Sequence, residues 1–256
     1  MNIVGIIPAR LASSRFPNKP LAKILGMPMI GHVFLRSKMC KELINVYVAT
    51  CDEEIVEYIE SIGGKAVMTS DKHERASDRT AEALMKIEKD LNKEIDIVIM
   101  IQGDEPMVTP EMISSAVKPL VEDHSLMVSN LMANIETRED HEDPNEVKVV
   151  VDKNNYALYF SREPIPSRKK GVENVPMLKQ VCIIPFRRDF LIKYNSMEQT
   201  PLEIIESVDM NRILENGIKI KMIFTEMKTY SVDTPEDLKY TEEIMARDDM
   251  VKRYIV

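Results

Sequence analysis

The alternation of short apolar runs with helical patterns limits this chain to few folds. In the first hundred residues, β-rich runs at 3–7, 45–50, 66–70 and 96–102 alternate with predicted helices at 28–39, 52–63 and 77–91. This alternation is typical of a mainly parallel sheet, because parallel neighbours are joined by crossovers that usually contain a helix. We therefore predict an α/β fold whose first half is doubly wound, with Ser77 as the N-cap of the third helix.

The second half of the sequence is less regular. We predict strands in MVSNLMANI, VKVVVDKNNYALYFSR, VCIIPF, IKIKMIFTE and TYSVD, and helices in RDFLIKYNS, PLEIIESVDMNRILENG and DTPEDLKYTEEIMAR. Asp233 or Thr234 is expected to cap the last helix, with Pro235 in its first turn. Since no internal repeat or low-complexity linker interrupts the chain, we predict one domain over residues 1–256.

Composition excludes several classes of protein. With 34 basic and 42 acidic residues the net charge is −8, which argues against a non-specific nucleic-acid binder. The three cysteines are far apart and lack C-x-x-C spacing, so they indicate reduced thiols rather than disulfides or a zinc site. We find neither a signal peptide nor an apolar run of the ~20 residues that span a bilayer. A cytoplasmic protein without membrane insertion is expected.

A basic loop follows the first predicted strand. PARLASSRFPNKP carries Arg10, Arg15 and Lys19, with the hydroxyls of Ser13 and Ser14 as further donors. Ligands of open α/β sheets bind beyond the carboxyl ends of the strands, where this loop begins. Solvated surface cations are the alternative, but this density of charge after a buried strand favours a polyphosphate site.

Two carboxylates follow predicted strands later in the chain. Asp104 lies in IQGDEP, directly after a strand that is apolar on both faces, and Asp233 lies in SVDTPEDL. Either could serve only as a cap, yet a carboxylate at a strand tip is also suited to a hard divalent cation that shares substrate phosphates. We predict that Asp104 and Asp233 bind Mg²⁺ opposite the basic loop.

The ordered motifs together resemble one family nearly from end to end. Five motifs are similar to those of the bacterial CMP-Kdo synthetases, the 3-deoxy-manno-octulosonate cytidylyltransferases. They are IIPARLASSRFPNKPL, VYVATCDEEI, IQGDEP, YALYFSR and VDTPEDL. The resemblance implies a three-layer nucleotidyltransferase (Rossmann-like) fold, with a mainly parallel mixed sheet and a smaller second-half extension. It also implies a Mg²⁺-dependent homodimer that couples CTP to the anomeric hydroxyl of an acidic 2-keto-3-deoxy sugar and releases pyrophosphate.

The resemblance also implies roles for individual residues. A nucleotide-binding part covers about 1–125, a sugar-binding and dimerisation extension about 126–225, and a segment with the second metal ligand 226–256. The nucleotide would contact Arg10, Ser13, Ser14, Arg15, Lys19, Ser77 and Arg79, and the sugar acid would contact Gln102, Gln180, Glu203, Glu206 and Met210. The catalytic residues would be Arg10, Lys19, Asp104 and Asp233. The role of the YALYFSR motif stays open.

The departures from the family pattern concentrate in the expected sugar-binding part. Arg75–Arg79 replaces S-G-T-[DE]-R, Gln180–Phe186 replaces a stretch with His and Tyr, and Asp209–Arg212 replaces Glu-Gln-Leu-Arg. Asn18 also replaces a common glycine, a mild change because Asn tolerates left-handed backbone. One hypothesis is another acceptor, such as a different or amino-substituted keto-deoxy acid or a sugar phosphate, and drift is its alternative. A nucleotide-binding protein without catalysis is the alternative from another class.

Overall fold

The computed structural model describes residues 1–12, 16–172 and 174–255. The chain forms two compact units, one made of Met1–Ser114 with Thr229–Val256 and the other of Ser115–Lys228. The first unit therefore contains both ends of the sequence. That the whole chain acts as one domain stays a prediction.

The described residues form short strands and mostly short helices. In chain order these are β1 (Ile3–Pro8), β2 (Lys23–Ile24), β3 (Met27–Pro28), α1 (Met29–Lys38), β4 (Asn45–Thr50), α2 (Glu53–Ser61), β5 (Ala66–Met68), α3 (Ala76–Leu91), β6 (Ile97–Ile101), α4 (Pro110–Glu122), β7 (Ser129–Asn134), α5 (Arg138–Glu142), β8 (Lys148–Val151), β9 (Ala157–Ser161), β10 (Leu178–Val181), β11 (Ile183–Arg187), α6 (Arg188–Asn195), α7 (Pro201–Glu206), α8 (Met210–Glu215), β12 (Lys221–Phe224) and α9 (Pro235–Met245). The predicted α/β class is confirmed.

The sheet of the first unit explains where a ligand can bind. Its strands lie in the order β6-β1-β4-β5, and each pair of neighbours is parallel. From β1 the chain builds outward through β4 and β5, and then returns to place β6 on the other side of β1. The strand order reverses between β1 and β6, and their carboxyl ends therefore form the switch-point crevice where α/β sheets bind ligands.

The buried strands and helices of this unit follow from their sequence. All side chains of β6 (IVIMI) are at most 1% exposed, as its continuous apolar run requires. Helices α1 and α2 pack closely, since a Cβ on Gly31 would lie 2.2 Å from the hydroxyl of Tyr58. Helix α3 begins one residue earlier than predicted, with Arg75 in extended backbone as its N-cap. The prediction of a Ser77 cap was wrong, because Ser77 lies inside the first turn and is fully buried.

The hydrogen bonds at the start of the last helix, α9, identify the residue that caps it. The Thr234 hydroxyl accepts a hydrogen bond from the Asp237 N–H at 3.1 Å, and the Asp237 carboxylate accepts the Thr234 N–H at 2.8 Å. This reciprocal pair is a capping box. Thr234 is therefore the cap, and the helix does not need the carboxylate of Asp233 for this purpose.

The second unit contains a mixed sheet in the order β12-β7-β10-β8-β9, in which β12 and β7 are parallel and the other neighbours antiparallel. The segment predicted as a single helix, PLEIIESVDMNRILENG, is two helices. Ser207 adopts left-handed backbone (φ 51°) and ends α7 before α8 begins. The TYSVD strand prediction was also wrong. Val232 donates one hydrogen bond to the Asp104 carbonyl at 2.9 Å, and no ladder forms in this described segment.

Candidate active site

A pocket of about 320 Å³ lies in the first unit, at the carboxyl ends of β1 and β6. Its lining comes from these strand ends, the turn at Lys19 and the residues before and within the start of α3. Four strongly basic side chains contribute to it, namely Arg10, Lys19, Arg75 and Arg79. This concentration of positive charge in an acidic protein indicates an anionic ligand.

The two predicted metal carboxylates converge on a single positive charge. The Lys19 ammonium nitrogen lies 2.9 Å from Oδ2 of Asp104 and 3.2 Å from Oδ1 of Asp233. Burial acts to lower the pKa of Lys19, but the charges of both carboxylates and their hydrogen bonds outweigh it, and the pKa is raised. Lys19 therefore stays protonated, and Asp104 and Asp233 form a position that accepts a cation.

Close packing and a side-chain hydrogen bond fix the segment that carries Asp104. A Cβ on Gly103 would lie only 3.1 Å from Cδ1 of Ile30 and 3.3 Å from the Pro8 carbonyl, so glycine allows this turn to lie against the end of β1. Beyond the turn, the buried Arg36 donates from Nε to the Val108 carbonyl at 2.8 Å. The turn is thus held from both sides.

The donor set fits the predicted magnesium ion. Mg²⁺ in proteins is held by one or two carboxylates, and substrate phosphates and water complete its octahedron. Asp104 and Asp233 supply two such carboxylates on one cation position. Across residues 1–12, 16–172 and 174–255, no group of three or more His, Cys, Asp or Glu side chains could form a cage made of protein ligands alone.

Arg79 brings an unsatisfied donor to the pocket. Its side chain is 3% exposed, and Nη1 donates to the Thr69 hydroxyl and to the Ser70 carbonyl. Nη2 has no hydrogen-bond partner among the residues that the structure describes. A buried charged donor left unpaired is costly, so a ligand in the pocket is expected to accept from it.

Glu82 organises the turn that supports Arg10. Its Oε2 accepts the Ser70 N–H at 3.0 Å and also contacts Nε2 of His73, whose carbonyl accepts from Nη1 of Arg10 at 3.4 Å. Burial acts to raise the pKa of Glu82, but hydrogen bonds from Lys86, Ser70 and His73 outweigh it and hold the pKa at about 2. The ionised carboxylate therefore stabilises this turn.

We expect Glu82→Gln to destabilise the protein near neutral pH but much less in acid. Because the folded pKa of about 2 lies below the ordinary 4.5, the stabilisation is complete above 4.5 and is lost as the pH falls to about 2. Urea unfolding between about pH 6 and pH 2.5 measures the gap to the wild type. Glu60→Gln, at an exposed position of α2, is the control. A gap that stays constant across this range would contradict the expectation.

The other predicted nucleotide and sugar residues of this unit have different positions. Gln102 lines the pocket at the end of β6, whereas the buried Ser77 is not part of its lining. Ser13, Ser14 and Arg15 lie outside the described residues. Their predicted roles stay predictions.

In the second unit, the predicted sugar residues make contacts within the protein. Glu203 is fully buried, and its two carboxylate oxygens accept from Nε and Nη2 of Arg212 at 2.6 and 2.5 Å. Met210 is 1% exposed. Gln180 is half-buried and donates from Nε2 to Oδ1 of Asn130 at 2.6 Å. The sugar-binding role of these residues is still a prediction.

The YALYFSR motif, whose role the sequence left open, has a structural contact in this unit. Oε1 of Glu206 accepts from the Tyr159 hydroxyl at 2.8 Å and from the Ser161 hydroxyl at 2.9 Å, and Oε2 accepts the Arg162 N–H at 2.8 Å. Burial and the Glu206 contact raise the pKa of Tyr159 to about 12, so its hydroxyl stays a donor. The motif thus joins β9 to α7 through the carboxylate predicted to bind sugar.

Sequence reasoning missed Glu82 and Asp52. The Asp52 carboxylate accepts the Leu11 N–H at 2.7 Å and so contacts the basic loop directly. Its signal was present, since Asp52 follows the carboxyl end of a strand as Asp104 does. Glu82 has no comparable signal, because it lies in the interior of a helix and acts through a turn.

Two further observations concern the whole described chain. None of its helices is long and apolar enough to cross a membrane. None of Cys40, Cys51 and Cys182 takes part in a disulfide.

Comparison with known proteins agrees with this geometry. The cytidylyltransferase family model matches residues 4–220. A 3-deoxy-manno-octulosonate cytidylyltransferase of Geotalea uraniireducens is 42% identical over 249 residues, which cover 93% of this chain and 97% of the relative. One of Thermodesulfovibrio yellowstonii is 44% identical over 252 residues, covering 96% and 98%.

A solved structure extends the likeness to the fold. CMP:2-keto-3-deoxy-manno-octonic acid synthetase, in complex with CTP, superposes with a TM-score of 0.88 at 38% identity and covers 96% of this chain and 99% of that one. The predicted nucleotidyltransferase fold is confirmed. Family model, relatives and structure agree, and the chain belongs to the cytidylyltransferase family, among the 3-deoxy-manno-octulosonate cytidylyltransferases.

Proposed function

We propose that this enzyme transfers a cytidylyl group from CTP to the anomeric hydroxyl of 3-deoxy-manno-octulosonate (Kdo), with Mg²⁺ as cofactor, and releases pyrophosphate. The convergence of Asp104 and Asp233 on one cation position beside a basic pocket is the observation that carries the proposal. The names of the similar enzymes and the CTP in the similar structure support the two substrates.

The reaction needs no protein nucleophile. The sugar hydroxyl attacks the α-phosphorus and an oxygen–phosphorus bond forms, while the bond from the α-phosphorus to the bridging oxygen breaks, pyrophosphate leaves and the hydroxyl proton passes to water. Asp104 and Asp233 would hold Mg²⁺, which when bound supplies charge neutralisation and makes a coordinated hydroxyl more acidic. Arg10, Lys19 and Arg79 supply positive charge around the pocket for the triphosphate, and the Lys19 ammonium would leave its position between the two carboxylates when the metal ion binds there. Catalysis therefore rests on positioning and electrostatic stabilisation.

The test is pyrophosphate release from CTP with Kdo. We expect release with both substrates and Mg²⁺, loss of release with a chelator, and recovery when Mg²⁺ is restored. A parallel panel of amino-substituted keto-deoxy acids, sugar phosphates and UTP tests the altered acceptor suggested by the sequence departures and the strictness of nucleotide choice. CTP binding without release for any acceptor would contradict the proposal and favour a nucleotide-binding protein.

The expected homodimer and location belong to the same proposal. Several large apolar side chains of the second unit are exposed, among them Leu158 at 62%, Ile204 at 58% and Ile205 at 74%. Large exposed apolar patches mark interaction sites, and the neighbouring Ile204 and Ile205 on α7 support self-association through this unit. Light scattering of the wild type and of Ile205→Glu tests it, and a wild-type monomer at assay concentrations would contradict it. The cytoplasmic location stays a prediction that cell fractionation can check.

A further inference from the structure

The carboxyl end of β4 supports the basic loop through Asp52. Its Oδ2 accepts the N–H of Leu11 at 2.7 Å, and Leu11 directly follows Arg10. The Asp52 N–H in turn donates to the Thr50 hydroxyl at 3.1 Å, which fixes the Asp52 backbone on the strand end. The bond to Leu11 involves a carboxylate and is therefore stronger than a bond between neutral groups.

Two more backbone bonds restrain the chain on either side of Arg10. The Ala9 N–H donates to the Ala49 carbonyl at 2.9 Å and continues the β1–β4 pairing. The Leu11 carbonyl accepts the Asn18 N–H at 3.2 Å, which closes the loop next to Lys19. Asn18 itself adopts left-handed backbone (φ 59°). Leu11 thus links the Asp52 carboxylate to the backbone next to Arg10 and, through Asn18, to the backbone next to Lys19.

The same strand end also supports the opposite wall of the pocket. The Thr50 carbonyl accepts the Thr69 N–H at 2.8 Å and the Thr69 hydroxyl at 3.0 Å. That hydroxyl receives the bond from Nη1 of Arg79. Residues Thr50–Asp52 are therefore hydrogen-bonded both to Leu11, next to Arg10, and to Thr69, which holds Arg79.

We propose that Asp52 is a positioning residue of the nucleotide site. It fixes the backbone at Leu11, so that Arg10 and Lys19 are held at the pocket before the triphosphate arrives, and it does not itself contact the substrate. Asp52 is absent from the pocket lining, as this role requires. The inference rests on the proposed function, because it takes CTP as the ligand of these side chains.

The test compares Asp52→Ala with Asp52→Asn. Removal of this half-buried acceptor is expected to weaken CTP binding about tenfold, measured by calorimetry, and to raise KM for CTP without changing KM for the sugar acid. The amide oxygen introduced by Asp52→Asn can accept the same N–H, so this variant is expected to recover most of the affinity. Glu54→Ala removes a carboxylate from an exposed position in the first turn of α2 and is the matched control, with unchanged CTP binding.

Hydrogen exchange of the peptide that covers residues 9–12 supplies a second measurement. We expect faster exchange in Asp52→Ala than in the wild type and in Glu54→Ala. Unchanged exchange and CTP binding in Asp52→Ala would overturn the inference, as would equal losses in both Asp52 variants that follow a fall in Tm. A wild-type protein that binds neither CTP nor inorganic tripolyphosphate would refute the proposed function, and the exchange comparison would still decide whether Asp52 holds the loop.

Discussion

Asp104→Asn and Asp233→Asn are each expected to lower the rate of pyrophosphate release by about a thousandfold or more. Either change removes one of the two charges that converge on the cation position, while the amide keeps the size of the side chain. A bound metal ion stabilises the charge of the transition state by several kcal/mol. Loss of about 4 kcal/mol of this stabilisation lowers the rate by about a thousandfold. Single-turnover assays with saturating CTP and Kdo measure the effect.

Metal binding gives this prediction a second measurement. Mn²⁺ can be followed by paramagnetic resonance in place of Mg²⁺, in the presence of CTP, and both variants should bind it more weakly than the wild type. Asp90→Asn removes a carboxylate from an exposed position of α3 and should change neither rate nor metal binding. Release that continues at the wild-type rate in both site variants would refute the metal assignment.

The site could be predicted where the chemistry lies at strand ends. Periodicity located β1 and β6, and the parallel topology then required Arg10 and Asp104 to meet at one edge of the sheet. Asp233 could be predicted for the same kind of reason, although its segment forms no strand in the structure. A single Val232 bond to the Asp104 carbonyl places it instead.

The residues that hold the side chains of the site in place could not be predicted in this way. Glu82 acts through a turn, and the hydrogen bonds of a turn are not visible in hydrophobic periodicity. The β2–β3 hairpin and the helices α4 and α5 also escaped prediction. The hairpin turns at Leu25 and Gly26, both with positive φ, and Leu25 is a residue that seldom signals such a turn. In the hairpin, tertiary contacts override local preference.

In the second unit, the contact that Glu203 makes could not be predicted from the family motif that contains it. The PLEIIE helix was expected to face the sugar, and its sequence pattern ran on as one helix through ILENG. The left-handed Ser207 breaks it, so that α7 and α8 fold back and Glu203 meets Arg212 in the interior. Spacing along a helix could not reveal this pair, because the pair depends on the break.

Glu203→Ala is expected to destabilise the protein by about 3–5 kcal/mol, since it leaves a buried charge without its partner. The Arg212 side chain is 3% exposed and lies 4.8 Å from the centre of the Tyr194 ring. Hydrogen bonds to Glu203 raise the pKa of Arg212 above its ordinary value against the effect of burial. Urea unfolding measures the loss. Arg138→Ala, which breaks an exposed pair, should cost less than about 1 kcal/mol.

The double variant Glu203→Leu with Arg212→Met separates a structural role of Glu203 from a sugar-binding one. Replacing both members of a buried ion pair by apolar side chains of similar volume is often neutral, so we expect most of the stability to return. A refolded double variant that keeps the wild-type KM for Kdo would assign Glu203 to the interior of the second unit. One that regains stability but loses Kdo binding would assign its carboxylate to the sugar and contradict the structural role.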